Sequence, residues 1–244
     1  MTTESKRKRG PDAAARVSKT EGKETRWDRT KSNVKTIGGA VVLAFFIRIV
    51  LFEAFEIEGP SMEPTLLNGD RVVVAKFMYG LSVPKVDEAL LTWSQPSPGD
   101  VVIVNSPHDG IDIVKRVIGV PGDVIEIRDD VVYRNGDPIR HEEIGPCEES
   151  FQIEPGPGCE WIEGEVDGVV FRTSHDVSSP PANHPPIDIR EGYVYILGDH
   201  RDRSNDSRFF GPVQISRVKG KALMMYWSSG PTGIRWERIF DGVQ

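Results

Sequence analysis

Short apolar stretches separated by turn-forming residues recur along the chain from residue 71 onwards. They are rich in valine and isoleucine, whose branched side chains favour β-strands, and Gly, Pro, Asn and Asp lie between them. The predicted strands cover residues 71–77, 101–104, 111–119, 124–127, 131–133, 168–172 and 193–197. Asn135 and Gly136 follow the fifth of these after one residue and are typical of a hairpin turn. The sequence therefore predicts a mainly β protein with an antiparallel sheet.

One long segment differs in composition from the strands on either side of it. Residues 141–190 are rich in Pro, Gly and acidic residues and contain one clear strand. Such a segment is typical of an accessory element between core strands. We interpret residues 141–190 as an inserted, loop-rich β subdomain, and residues 56–140 and 191–244 as the β core.

Positive charge is concentrated at the N-terminus of a chain that is acidic as a whole. Residues 1–35 hold 11 Lys and Arg against 5 Asp and Glu, a balance of +6 within a total of −7. The remaining residues therefore carry −13, which repels nucleic-acid phosphates, so no nucleic-acid partner is predicted. Residues 1–33 lack hydrophobic patterning and are predicted to form a disordered basic tail.

An apolar segment follows the basic tail. Residues 34–55 are long enough to form one transmembrane helix if the Arg48 side chain reaches an interface. Basic flanks stay in the cytoplasm, which places residues 1–33 inside the plasma membrane and the β core outside it. A cleaved signal peptide and a buried helix of a soluble domain are the alternatives. The long basic region argues against the first alternative, and apolar residues on all helix faces argue against the second.

A serine lies in a rigid turn immediately after this segment. Gly59 and Pro60 precede Ser61, and Pro64 follows it, a pattern that disfavours helix. An extended turn of this kind presents a hydroxyl beside free backbone N–H groups, which are the parts of an acyl-transfer site. A proline-rich surface turn without a chemical role is the alternative, and a catalytic partner elsewhere in the chain must decide between them.

The best partner for this serine is a lysine, because no histidine of the chain lies in a familiar triad or metal motif. Lys115 lies in an apolar predicted strand, and burial there lowers the pKa of a lysine from its usual value of about 10.4. Arg116 must point to the opposite face of that strand, so one of the two basic side chains faces inward. A solvated lysine is the alternative. No metal ion or cofactor is predicted.

Four motifs, taken in order, resemble bacterial type I signal peptidases, whose active site is a Ser-Lys dyad. They are Ser-Met-Glu-Pro-Thr-Leu at residues 61–66, Pro-Gly-Asp-Val-Val at 98–102, Lys-Arg-Val-Ile-Gly at 115–119, and the charged loop at 198–208. By itself the charged loop would be read as an exposed surface loop. The resemblance extends from the apolar segment to Ile239, apart from residues 141–190.

The resemblance implies a role for each matching residue. Ser61 would be the nucleophile, Lys115 the general base, and Ser204 the residue that orients the lysine. The remaining loop residues would support the site structurally: Asp199, Asp206 and Arg208. Gly59 departs from members that have a serine donor there, so the oxyanion would depend on backbone N–H groups, chiefly that of Ser61. His200 and Arg203 replace common asparagines, and no role carries over to them.

The resemblance also implies substrates and partners. The fold would be an antiparallel β catalytic domain with a variable extra domain at residues 141–190. The substrates would be secreted preproteins, which lose their signal peptides, and the enzyme would be a monomer in contact with the lipid bilayer. We expect small substrate side chains to fill shallow pockets lined by five residues: Ile57, Gly59, Met62, Leu66 and Val114.

The two cysteines, Cys147 and Cys159, both lie on the side assigned as extracytoplasmic, where disulfides persist. The turn-rich segment between them could bring the sulfur atoms together, so we predict a disulfide; two free thiols are the alternative.

Two other functions remain open at this point. One is a self-cleaving repressor-type Ser-Lys peptidase, which would carry a DNA-binding domain in place of the apolar segment. The other is a membrane-anchored β adaptor with an inactive site.

Overall fold

The computed structural model describes residues 34–43, 51–81, 91–147 and 158–244. The chain divides into two compact units, residues 1–44 and 45–244. In the first unit, residues 34–43 form a helix whose side chains are exposed. No helix among the described residues combines the length and apolar character needed to cross a membrane. The predicted tail at 1–33 and residues 44–50 of the predicted span lie outside the described residues.

The predicted transmembrane helix is wrong at its C-terminal end. Residues Phe52–Glu56 form a β-strand, which pairs with Asp70–Ala75 in antiparallel register. Phe52 lies opposite Ala75, so strand pairing has already begun where the sequence predicts helix. Hydrophobicity alone did not distinguish the two structures, because Phe52 and Phe55 suit a half-buried strand as well as a membrane helix.

The described residues of the second unit contain seventeen strands. They are β1 (Phe52–Glu56), β2 (Asp70–Ala75), β3 (Gly80–Leu81), β4 (Leu91–Thr92), β5 (Val101–Asn105), β6 (Asp112–Gly119), β7 (Val124–Arg128), β8 (Val131–Arg134), β9 (Asp137–Pro138), β10 (Glu142–Pro146), β11 (Cys159–Val166), β12 (Val169–Asp176), β13 (His184–Asp188), β14 (Tyr193–Leu197), β15 (Val213–Gln214), β16 (Val218–Gly230) and β17 (Gly233–Ile234). One α-helical turn, Ser207–Phe210, and three 3-10 turns, Lys76–Met78, Ile215–Arg217 and Trp236–Arg238, accompany them.

The main sheet has the strand order β1-β2-β16-β5-β6-β14-β15, with β17 paired to β16. All of its pairings are antiparallel. The mainly β, antiparallel fold predicted from the sequence is therefore confirmed. Its longest strand, β16, was not predicted, because Lys, Gly, Ser and aromatic residues interrupt its alternation of apolar and polar side chains.

The segment from 141 to 190 contains more strand than the sequence predicts. Strands β10, β11 and β12 form a three-stranded antiparallel sheet, and β13 joins a second small sheet with β7, β8 and β9. Trp161, Ile162 and Phe171 are buried in these strands. The description as loop-rich therefore holds for only part of the segment. Its many acidic residues conceal the strands because they occupy the exposed alternate positions, as in β11.

Cys147 and Cys159 form a disulfide that closes this subdomain at one end. Their Cα atoms are 5.4 Å apart, and the Cys147 N–H donates a 2.8 Å hydrogen bond to the Cys159 carbonyl. We expect Cys147→Ser to lower the local stability of β10–β12 by about 2–3 kcal/mol, because the link restricts the unfolded chain. Hydrogen exchange of these strands measures the change, and catalysis should persist because neither cysteine contacts Ser61 or Lys115.

The bond itself is tested by thiol labelling of the denatured, unreduced protein. We expect no labelling before reduction and two labelled thiols after it. The double variant Cys147→Ser/Cys159→Ser is the matched control, and it should exchange like the single variant. Two reactive thiols before reduction would contradict the prediction.

Candidate active site

The serine turn is held in place by the hydrophobic core on both sides. Gly59 adopts a φ of +86°, which non-glycine residues rarely adopt, and the chain then turns through Pro60 to Ser61. Met62 and Leu66 are buried in the core, which fixes the backbone that carries the partly exposed Ser61. The Ser61 N–H donates to no acceptor among the described residues. A hydroxyl and a backbone donor without an acceptor among the described residues therefore lie on one rigid turn.

The Lys115 side chain reaches this serine from strand β6. Its Nζ donates a 2.8 Å hydrogen bond to Ser61 Oγ and another of 2.8 Å to the Val114 carbonyl. Lys115 is only 3% exposed. Burial lowers the pKa of Lys115 to about 8, while the carboxylates of Asp206 and Asp199 oppose this shift. A lysine with such a pKa can lose its proton near neutral pH and act as a base.

The lowered pKa predicts how hydrolysis depends on pH. If Lys115 is the general base, its neutral amine is the active form, so the rate should rise as the pH increases through about 8 and level off above it. Preprotein cleavage measured between about pH 6 and 10 tests this limb. Circular dichroism over the same range serves as the control that the protein stays folded. A rate independent of pH across this range would contradict Lys115 as the base.

The charged loop is held by a carboxylate at its far end. Asp206 caps the helix Ser207–Phe210 and accepts a 2.9 Å hydrogen bond from the Gly198 N–H. Its other oxygen accepts a 2.8 Å hydrogen bond from Arg208 Nε. Asp206 and Arg208 thus form the pair that the resemblance implies, and they join the two ends of the loop.

Ser204 lies close to the serine turn but makes no hydrogen bond with Lys115. Its hydroxyl is buried and makes no hydrogen bond among the described residues. A Cβ atom added at Gly198 would lie 2.3 Å from Ser204 Oγ and 2.4 Å from the Ser61 carbonyl, so glycine is required where the loop passes the serine turn. The role of Ser204 in orienting Lys115 stays a prediction.

Asp199 pairs with a residue that the sequence analysis left unassigned. Arg116 donates to Asp199 through Nε at 2.8 Å and Nη2 at 2.6 Å, and both side chains are almost wholly buried. Thr65 Oγ1 donates to the same carboxylate at 2.5 Å. The sequence required one of the two basic residues of β6 to face inward, and both are in fact buried, because Phe171 of β12 covers Arg116. Arg116 lies in the motif at 115–119 and Asp199 in the charged loop at 198–208. Their membership of two family motifs was the signal in the sequence that could have indicated this ion pair.

The residues predicted to line substrate pockets occupy two kinds of position. Ile57, Met62 and Leu66 are buried in the hydrophobic core, with Val114 partly buried against it. Gly59 is partly exposed in the serine turn. Substrate contact by these residues stays a prediction. In the described ranges, no group of His, Cys, Asp or Glu side chains is arranged to hold a metal ion.

Comparison with known protein families shows which family this chain belongs to. The family model that matches the chain is described as signal peptidase, peptidase S26, and it covers residues 30–227. The chain belongs to the peptidase S26 family of signal peptidases. As a member of this family it is a peptidase, a hydrolase that acts in signal peptide processing.

Individual relatives in the signal peptidase family match over most of the chain. A signal peptidase I of Bacillus licheniformis is 32% identical over 195 residues, covering 80% of this chain and 87% of the relative. A signal peptidase I of Rickettsia typhi is 32% identical over 234 residues, covering 86% of each chain. A probable signal peptidase I-1 of Synechocystis is 29% identical over 213 residues, covering 87% and 88%. Each of these matches thus covers at least 80% of this chain and at least 86% of the relative.

Proposed function

We propose that this chain is a membrane-bound serine endopeptidase that removes N-terminal signal peptides from secreted preproteins with Ser61 and Lys115. The observation that carries this proposal is the 2.8 Å hydrogen bond from Lys115 Nζ to Ser61 Oγ. A buried amine in contact with a hydroxyl on a rigid turn is the arrangement that a Ser-Lys dyad needs.

The reaction follows from these two groups. Neutral Lys115 removes the Ser61 proton as the oxygen attacks the scissile carbonyl, and the backbone N–H of Ser61 donates to the developing oxyanion. The ammonium then protonates the amine leaving group, and the signal peptide stays bound to Ser61 as an ester. Water attacks the ester with Lys115 again as base, which releases the signal peptide and regenerates the hydroxyl.

A free strand edge beside the dyad supports binding of an extended substrate. Strand β14 pairs with β6 only at Arg116–Gly119, whereas β5 pairs with β6 along Asp112–Arg116. On the side away from β5, no described strand pairs with Asp112–Lys115. A preprotein segment that adds there through main-chain hydrogen bonds would run past Lys115 and the serine turn. Small substrate residues before the cleavage point would then face Gly59 and Val114.

Membrane attachment is part of the proposal. The basic balance of residues 1–35 and the apolar residues after it support a single crossing, with the N-terminus in the cytoplasm. We expect protease added outside spheroplasts to digest residues beyond 60 and to leave the N-terminal tail intact. Permeabilised cells provide the control in which both parts are digested. Protection of the β core with digestion of the tail would contradict this topology.

Cleavage of a preprotein tests the proposed activity directly. The full chain in detergent should release the signal peptide from a purified preprotein, and mass spectrometry should locate one cut after small residues. Ser61→Ala is the matched control, since it differs from the parent by one oxygen atom. Absence of cleavage by the folded parent would favour an inactive adaptor.

A further inference from the structure

A buried histidine links the serine turn to the inserted sheet. His200 is 3% exposed and lies directly after Asp199 in the charged loop. Its Nε2 lies 3.3 Å from Asp176 Oδ1, and its Nδ1 lies 3.6 Å from Glu63 Oε2. Glu63 follows Ser61 by two residues, whereas Asp176 ends strand β12. One imidazole ring therefore spans the catalytic turn and the accessory sheet.

The backbone around this histidine makes the same connection. The His200 N–H donates a 3.2 Å hydrogen bond to the Ser61 carbonyl. Ser174 of β12 exchanges 2.9 Å backbone hydrogen bonds with Asp199 and Arg201, and its hydroxyl donates to the Glu63 carbonyl at 3.0 Å. A displacement of the His200 segment would therefore move the residue that carries the nucleophile.

Carboxylates lie on both sides of the His200 ring. Glu63 and Asp176 present carboxylates to its two sides, and Arg203 Nε donates to the far oxygen of Asp176 at 3.2 Å. His200 Nδ1 and Glu63 Oε1 are buried and make no hydrogen bond among the described residues. Each ring nitrogen therefore faces a carboxylate, so the imidazole lies between the serine turn and the inserted sheet. His175 also lies close enough to His200 for their charges to interact.

We infer that His200 is a positioning residue, whose imidazole holds Glu63, and with it the turn that carries Ser61, against Asp176 of the inserted sheet. The inference rests on the proposed function only in that Ser61 is the nucleophile. It gives the insertion a part in catalysis, because β12 supplies one end of the bridge. Since the ring supports the turn and does not contact the substrate edge of β6, its loss should change kcat more than KM.

The test measures kcat, KM and thermal unfolding separately for the full chain in detergent with a purified preprotein. We expect His200→Ala to lower kcat by about 10- to 100-fold, the effect of misplacing a reacting group by about 1 Å. KM should change by less than about twofold, because uniform binding is retained. His200→Gln keeps an amide donor of similar reach toward Asp176, so its kcat should lie between those of His200→Ala and the parent.

A double-mutant cycle tests whether the bridge acts as one unit. Glu63→Gln should also lower kcat, and adding it to His200→Ala should cause little further loss, because either change breaks the same link. His184→Asn is the matched control: this histidine lies on β13 with its ring edge-on to Phe209, and it should keep the parent kcat. If His200→Ala does not fold, the cycle is made with His200→Gln.

Two results would overturn the inference. One is a folded His200 variant whose kcat equals that of the parent while only its unfolding temperature falls, since this is the result of a scaffold residue. The other is a double variant whose loss of kcat equals the product of the losses in Glu63→Gln and His200→Ala, since the two residues would then act independently. In either case, loss of cleavage in Ser61→Ala would leave the proposed function intact. Cleavage by Ser61→Ala would instead contradict the proposed function itself.

Discussion

Alanine at Ser61 or at Lys115 is expected to reduce preprotein cleavage by at least about 10²- to 10⁴-fold, the usual contribution of a positioned general base. Ser61→Ala removes the oxygen that forms the acyl-enzyme, and Lys115→Ala removes the amine 2.8 Å from it. Because the two groups act in one step, the double variant should be no slower than the slower single variant. Initial rates with a purified preprotein measure all three.

The control for this prediction is Ser216→Ala, a serine in the 3-10 turn Ile215–Arg217. This variant should cleave at the parent rate. Unfolding temperatures should show that each variant is folded, because Lys115→Ala replaces a buried residue and leaves a cavity. Near-parental activity in folded Ser61→Ala would end the assignment of the nucleophile, and the same result for Lys115→Ala would end that of the base.

Removal of Arg116 is expected to have the largest effect on stability. Its guanidinium is buried between Asp199, the Gly99 carbonyl at 2.9 Å and the Gln244 carbonyl at 3.0 Å. Arg116→Met should lower the free energy of unfolding by about 3–5 kcal/mol, because it leaves the Asp199 charge buried without its partner. Denaturant unfolding followed by tryptophan fluorescence measures this change.

Two comparisons separate the lost ion pair from a general packing defect. Arg116→Met combined with Asp199→Leu should recover part of the stability, since no unpaired charge remains. Arg71→Met breaks the exposed pair with Glu56 and should change stability by less than about 1 kcal/mol. A loss in Arg116→Met no larger than that in Arg71→Met would contradict the expected cost of the unpaired carboxylate.

The approximate positions of some strands, but not the number of strands, could be predicted from local pattern. Strands β2, β5, β6, β7, β8 and β14 coincide with valine- and isoleucine-rich stretches bounded by Gly, Pro or Asp. Strand β16 was not predicted, because its pairing with both β2 and β5, and not its own composition, keeps it extended. Strand β1 was not predicted for a related reason. Its apolar residues suit a membrane helix equally well, and only the pairing with β2 distinguishes a strand from a helix.

For the candidate site too, local motifs identify some features and only the tertiary structure shows the others. Ser61 and Lys115 could be named from short motifs, because a rigid turn and a lysine within an apolar strand are local features. Their hydrogen bond joins residues 54 positions apart, and no local pattern reports it. The pocket predictions did not anticipate that Ile57, Met62 and Leu66 lie in the core, because a motif does not indicate which of its apolar residues remain accessible to a substrate.

The sequence by itself determined the positions of the valine- and isoleucine-rich strands, the serine turn, the lysine that lies among apolar residues and the family motifs. All of these depend on neighbouring residues. Only the tertiary structure decided that both basic residues of β6 are buried. Lys115 turns to Ser61, whereas Arg116 turns to Asp199 beneath Phe171 of the inserted sheet. Alternation along a strand places two side chains on opposite faces, but the elements that cover each face come from distant parts of the chain. The same long-range packing brings Glu63, His200 and Asp176 together across 137 positions of sequence.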